Sequence, residues 1–256
     1  MRRVVVEVAG TSIRALAASD TPAELRIEAV RVEPSGGGAS HEALKRILAG
    51  LRPRSAKLIG IIGRDQVITR LLHLPSTDPE ELQRMVELSG KAQLPYPPEQ
   101  MIVDFHIISQ EQGTSTIQLV ACHRETITRH LAWWRQAGLE PSLIVPNSWA
   151  LAAWARRLPP ERVPPGQEWL LLHVDTSRTD LVFLRKGQIV FSRSLGQGSG
   201  EWQAQPESIQ LLIQEVERSF SSIRKDLPTL NVSAVILLGQ GPLEQWAATL
   251  QSRIGK

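Results

Sequence analysis

The sequence predicts a two-lobed α/β fold in which a βββαβα core occurs twice, the first copy interrupted by an inserted βαββαβ segment. Three observations predict it. The stretch 170–195, LLLHVDTSRTDLVFLRKGQIVFSRSL, reads as three consecutive antiparallel strands, filled by β-branched and aromatic residues, with Lys186-Gly187 marking a tight reversal. The first residues repeat the theme: 3–19, RVVVEVAGTSIRALAAS, is an apolar strand, a small-residue turn and a returning strand. The elements after each hairpin then come in the same order, as duplication of one unit requires.

Taken in order, 24–32 (ELRIEAVRV) alternates apolar and charged residues, so it makes a half-exposed third strand. Pro34-Ser35-Gly36-Gly37-Gly38 is a loop, and Ser40 is placed to cap a helix whose one face carries Leu44, Ile47, Leu48 and Leu51. That helix stops before Pro53, and 57–62 (KLIGII) is a buried strand. A separate rhythm follows over 64–146. A strand over 66–74 is closed by Pro75. Asp78 as cap, Pro79 at the first helical position, and Glu80 and Glu81 at the positive end then start a helix carrying Leu82, Met85, Val86 and Leu88. MIVDFHII, a turn at Gly113 and STIQLVACH form a hairpin, and a helix over 124–137 presents Ile127, Leu131 and Trp134 on one face. A short strand over 143–145 completes a βαββαβ order, that of a ferredoxin-like split unit.

Asn147-Ser148 caps a helix that runs into the Pro-rich linker LPPERVPPG at 158–166, the clearest lobe boundary. Beyond the three strands of the second lobe, 197–205 reads as a Gly/Ser/Gln-rich loop. The longest helix starts at Pro206-Glu207, with Ile209, Leu212, Ile213, Val216, Phe220 and Ile223 in one apolar stripe. A strand over 234–238 runs into Gly239-Gln240-Gly241, and Pro242 opens a last helix containing Leu243, Trp246 and Leu250. The expected organisation is therefore 1–63 as the first core, 64–146 as the insert, 147–166 as connector and 167–256 as the second core.

Composition narrows the function. A formal charge of +3 with no block of basic residues argues against a nucleic-acid or lipid surface. Met1-Arg2-Arg3 leads into only a short apolar run broken by Glu7, which makes no leader peptide. One cysteine, Cys122, excludes an intrachain disulfide, and its apolar strand setting makes it a buried structural thiol. His73, His106, His123 and His130 have no metal-ligand spacing, so no metal is expected. His173-x-Asp175-x-Ser177 alternates along a strand and cannot converge on one atom as a catalytic triad must. Neither a G-x-S-x-G elbow nor a G-x-x-x-x-G-K loop occurs, and Glu7 with Asp175 are too few carboxylates for a two-metal nuclease. Trp133 and Trp134 point about 100° apart on their helix, which places one of them against solvent, a partner or a neighbouring strand.

The stretches VITRLLHLPSTDPEELQRMVELSGKAQLPYPPEQMIVDFHII, LVACHRETITRHLAWWRQAGLEPSLIVPNSWALA and DLVFLRKGQIVFSRSL resemble the PilM-type proteins of type IV pilus assembly, in the actin-like ATPase superfamily. The cytoplasmic domain of GspL in type II secretion is similar as well. The resemblance implies an actin-like fold, an RNase H-like core duplicated into subdomains 1A and 2A, with 64–146 as subdomain 1C. Only 196–205 separates the last strand of the second sheet from its long helix, so subdomain 2B is reduced or absent.

The family's nucleotide cleft is carried over position by position. Its first phosphate loop usually has Asp-x-Gly and a later Lys; the aligned residues are Glu7, Val8, Ala9, Gly10, Thr11, Ser12, Ile13 and Arg14. Glu7 reaches one methylene further than Asp, and Ala9 replaces the glycine that admits a phosphate to the backbone. In the second loop His173 aligns with the acid and Asp175 with the glycine; slipped by two, Asp175 keeps the acid and Ser177 takes the glycine's place. The adenosine turn survives as Gly239-Gln240-Gly241. The residues of this degenerate cleft are Gly10, Thr11, Ser12, Arg14, Ser177, Thr179, Gly239 and Gly241, with Glu7 a metal ligand only if Mg-ATP binds. No catalytic residue and no cofactor is expected; the alternative is an ATP-binding ATPase using Mg. The resemblance further implies a cytoplasmic scaffold at the inner face of the inner membrane. Its expected partners are the tail of a PilN-like membrane protein and the machine's motor ATPase, and not nucleic acid. Ile68, Arg70, Leu72, Leu82 and Met85, beside a groove between 1A and 1C, are the expected partner-binding residues.

Overall fold

The hairpin at the start of the chain exists because Val4, Val6, Ile13, Ala15 and Ala17 alternate with polar or half-exposed neighbours, and all five are buried on one face of the sheet they build. The computed structural model describes every residue except 10–11, 22–23, 36–40, 160, 162–165, 205–207 and 255–256, so the cap expected at Ser40 lies outside the described residues. In chain order the elements are β1 Arg2–Ala9, β2 Ser12–Asp20, β3 Leu25–Pro34, α1 His41–Ala49, β4 Lys57–Ile62, β5 Val67–Leu74 and α2 Pro79–Met85. There follow β6 Met101–Glu111, β7 Thr114–His123, α3 Arg124–Gln136, β8 Leu143–Pro146 and α4 Asn147–Ala155. The last are β9 Glu168–Val174, β10 Thr179–Arg185, β11 Gln188–Leu195, α5 Ser199–Ala204, α6 Ser208–Asp226, β12 Val232–Gly239 and α7 Leu243–Ile254.

Two sheets repeat one plan. The first has the order β3-β2-β1-β4-β8, the second β11-β10-β9-β12. In each, an antiparallel three-stranded meander is joined by a parallel strand on the far side of its first strand, β4 beside β1 and β12 beside β9. This is the duplicated core that the sequence predicts. A third sheet, β5-β7-β6, forms the insert. By contacts the chain divides into one unit of Met1–Val67 with Cys122–Ala150 and another of Ile68–Ala121 with Leu151–Lys256.

The first unit packs α1 and α3 on its sheet, with Val4, Val6, Ile13, Leu44, Ile47, Leu48, Leu51, Trp133 and Trp134 in one cluster. Here the structure corrects the reading of the tryptophans: both are buried, edge to face with ring centroids 5.7 Å apart. They can both be inside because α3 is covered on two sides, by the α1 layer and by β4 at Gly60, where a Cβ would meet His130 Nε2 at 2.8 Å. A second difference concerns the end of the insert. β8 pairs in parallel with β4, so the strand and helix expected to close a ferredoxin-like unit serve the first sheet instead, leaving the insert with three strands and α2.

Beside Gly60, Trp134 Nε1–H donates to His130 Nε2 at 3.2 Å, and burial holds the His130 imidazole below its ordinary pKa of 6.5. The folded state therefore takes up this proton less readily than the unfolded chain. Stability contributed by the neutral ring is present above about pH 6.5 and declines as pH falls through that value toward the lower folded pKa. His130→Gln, whose amide oxygen can still accept from Trp134, should flatten that decline. Urea titrations of both proteins between pH 5 and 8 check it, and equal acid slopes would remove His130 as the cause. Cys122 is buried as expected; its thiol donates to the Gln66 carbonyl at 3.3 Å, and burial pushes its pKa up to about 11.

In the second unit every stripe residue predicted for α6, from Ile209 to Ile223, packs on the sheet core of Leu170, Leu172, Val174, Leu181 and Phe183. The Lys186-Gly187 reversal has φ of 51° and 74°, the left-handed pair that a two-residue hairpin needs. The segment read as loop contains α5, whose Trp202 is buried edge to face on Trp246 at 5.3 Å. In the insert, Asp78 caps α2 by accepting from Glu81 N–H at 2.9 Å, and Ser76 Oγ donates to Glu81 Oε2 at 2.5 Å.

Candidate functional site

The turn from Asp175 to Arg178 joins β9 to β10 and lies where the second phosphate loop is expected. Asp175 N–H donates to the Arg178 carbonyl at 2.8 Å, which closes the turn, and Asp175 Oδ1 accepts from Thr176 N–H at 2.8 Å. Two further segments of the same unit dock on it. Ser199 N–H donates to the Asp175 carbonyl at 2.8 Å and Gly200 N–H to the Thr176 carbonyl at 3.0 Å. From the adenosine turn, Gln240 N–H donates to the Val174 carbonyl at 2.8 Å, and Thr176 Oγ1 donates to Gln240 Oε1 at 3.0 Å. The second loop and the Gly239-Gln240-Gly241 turn are thus brought together. Glycine is required at both contacts. A Cβ on Gly198 would sit 2.3 Å from the Asp175 carbonyl oxygen, and one on Gly239 would sit 1.9 Å from that of Val174.

This geometry tests the fit to a phosphate. Backbone N–H groups are what such a loop offers to an anion. Those of Asp175, Thr176, Ser199, Gly200 and Gln240 all donate within the chain. Thr179, a predicted site residue, is fully buried with its hydroxyl donated to the Gln197 carbonyl at 2.9 Å; Ser177 is exposed at the tip of the turn. In this arrangement these five N–H groups are directed to the chain's own oxygens and not outward to an anion.

Behind the turn lies a buried group of charges that the sequence reading missed. Asp180, on β10 and opposite His173 of β9 in register, has no exposed side-chain surface. Its Oδ2 is 3.6 Å from Arg178 Nε and 3.7 Å from His173 Nδ1. The sequence signal was an aspartate followed at once by the apolar run 181–184, where a carboxylate must be matched by a cation or a donor to be buried at all.

In the first unit, β1 and β2 set Glu7 opposite Arg14, and their side chains pair at 3.5 Å with Glu7 17% and Arg14 23% exposed. Ser12 Oγ donates to the Ala9 carbonyl at 3.3 Å, while Gly10 and Thr11 lie outside the described residues. Two positions that would meet the phosphate and the metal, Arg14 and Glu7, face one another across the hairpin. Among the described residues no group of three or more His, Cys, Asp or Glu side chains could hold a metal ion, and no helix is long and apolar enough to cross a membrane.

The residues expected to hold a partner separate by burial. Leu72 and Leu82 belong to the interior of the second unit, 8% and 0% exposed, and Ile68 packs on the cluster that holds Leu72. Arg70 is exposed and Met85 half-buried, so these two keep surface for a ligand.

Comparison with known proteins adds the following. A family model described as type IV pilus assembly protein PilM matches residues 6–210. The structure is similar to that of a PilM-PilN type IV pilus biogenesis complex, with a TM-score of 0.85 at 19% identity, over 100% of this chain and 86% of the other. It is also similar to the cytoplasmic domain of EpsL, an inner-membrane component of the Vibrio cholerae type II secretion system (TM-score 0.55, 12% identity, 98% of this chain and 95% of the other). A Bacteroides thetaiotaomicron protein of actin-like ATPase fold gives 0.54 at 13% identity, over 100% and 89%. The architecture is that of the actin-like ATPase fold.

Proposed function

Because the chain belongs to the family of the type IV pilus assembly protein PilM, we propose that it is a cytoplasmic scaffold of a type IV pilus or type II secretion-like assembly platform, binding the cytoplasmic tail of a PilN-like inner-membrane protein. The family match over 6–210 is the observation that carries this reading. The fold supports it, since the likeness to a chain of a PilM-PilN type IV pilus biogenesis complex extends over the whole of this chain. Arg70 on β5 and Met85 at the end of α2 are the surface through which an extended tail would be held, by backbone pairing and side-chain pockets.

The same protein is proposed not to hydrolyse ATP. Support comes from the Glu7–Arg14 pair and from the five N–H groups of the Asp175 turn and its docking segments, each already donated to the chain. A melting series and a phosphate-release assay test the two statements. N-terminal peptides of candidate inner-membrane partners should raise the melting temperature of the full chain, and millimolar Mg-ATP should leave it unchanged. A ligand present at one hundred times its Kd stabilises by about 2.7 kcal/mol, which is readily seen. No shift with any peptide, together with measured release of phosphate from Mg-ATP, would reverse the assignment in favour of an ATPase.

A further inference from the structure

We propose that the free edge of β3 pairs with the β3 of a second copy, antiparallel and two-fold symmetric, making this protein a dimer through its first sheet. Among the described residues β3 ends the sheet, paired only with β2, and over Leu25–Pro34 it is a long, mostly exposed edge. Such an edge offers a row of backbone donors and acceptors to another strand. It is also apolar on one face. Leu25, Ile27, Val30 and Val32 are 37%, 59%, 61% and 62% exposed.

These four share a face only because of a bulge. β3 advances from Ile27 to Ala29 while β2 advances from Ala18 to Ala17, so Glu28 is the extra residue. Ile27 opposes Ala18, Val30 opposes Leu16 and Val32 opposes Arg14, alternate residues of β2 that all point away from α1. Without the bulge Ile27 would be on the opposite face from Val30 and Val32.

The sequence of the edge says what pairs with it. Charges alternate in sign as Arg26, Glu28, Arg31 and Glu33, and this order is complementary to its own reversal. With a two-fold axis at Val30 and Glu28 looped out as the extra residue of each strand, Val30 meets its own copy, Leu25 meets Pro34, Arg26 meets Glu33 and Ile27 meets Val32. The one-residue phase shift of the bulge puts both members of each of these pairs on the same face, which an unbulged strand in that register could not do. Opposite charges thus meet on one face and apolar side chains on the other. Glu28, at the bulge, stays committed to its own chain through Arg2 Nε at 2.8 Å and the Ser19 hydroxyl.

Sedimentation velocity of the full chain over a wide concentration range tests the proposal. The unaltered protein should dimerise. Arg26→Glu alone, or Glu33→Arg alone, sets like charges opposite one another at both symmetric positions and should weaken the dimer by roughly tenfold or more. An equimolar mixture of the two variants restores both pairs in a heterodimer, so dimer should return on mixing. Circular dichroism shows that each variant is folded. A monomer at all concentrations, variants that dimerise as well as the parent, or a mixture that stays monomeric would each overturn the pairing.

Discussion

Asp180→Ala should be among the most damaging single substitutions in the second unit, lowering stability by about 3–5 kcal/mol, because it removes one partner of a buried charge group. Asp180 is fully buried near the start of β10, an inner strand of its sheet, with Arg178 Nε at 3.6 Å and His173 Nδ1 at 3.7 Å from the same oxygen. Alanine takes away the carboxylate that faces both groups and leaves a cavity where it stood, while Arg178 stays only 9% exposed. Asp180→Asn separates the terms, since it keeps the volume and loses the charge. Urea unfolding followed by tryptophan fluorescence, to which Trp169, Trp202 and Trp246 of this unit contribute, measures the loss of stability. A cost below about 1 kcal/mol for both variants would show that the group is hydrated and that its burial has little energetic weight. Replacing His173, Arg178 and Asp180 together by apolar residues of similar volume should cost far less than Asp180→Ala alone. The charges then act in fixing the turn to its strand rather than in holding the sheet.

Much of the frame was legible because it rests on local pattern. β4 and the β9–β11 meander are found where apolar runs and a Lys-Gly reversal put them, and the α6 stripe is buried throughout. What could not be read depends on contacts distant in sequence. Whether 143–146 finishes the insert or joins the first sheet is decided by its pairing with 59–62, which no local pattern carries. The short α5 was hidden by Gly196, Gly198 and Gly200, residues that signal a loop. Here Gly198 is demanded by a backbone approach and not by flexibility. Trp133 looked half-exposed from the helical wheel because the wheel shows angles and not how many layers cover the helix. At the candidate site, the departures at Glu7, Ala9 and His173 were visible as letters. That Glu7 faces Arg14, and that the Asp175 turn is sealed by 198–200 and Gln240, follows from register and docking alone.

Gly239→Ala should be comparably severe, by about 2–6 kcal/mol, and by a different route. At φ 122° the residue sits in backbone space that L side chains rarely adopt, a strain of roughly 1–3 kcal/mol. Its Cβ would also lie 1.9 Å from the Val174 carbonyl oxygen and 2.7 Å from the carbonyl carbon. Backbone cannot rotate away as a side chain does, so β12 must shift against β9, adding a further 1–3 kcal/mol of overpacking. The shift would break the Gln240 N–H to Val174 carbonyl bond and the Thr176–Gln240 contact that tie the adenosine turn to the second loop. Gly113→Ala is the control. That glycine also has positive φ, 80°, but a Cβ there meets nothing within 4 Å, so it should lose only the strain. The difference between the two melting temperatures reports the close approach together with the greater strain at φ 122° than at 80°. Equal losses would mean that strain alone makes glycine necessary at 239. A larger loss at 239 would show that the turn is held by its close backbone packing on Val174.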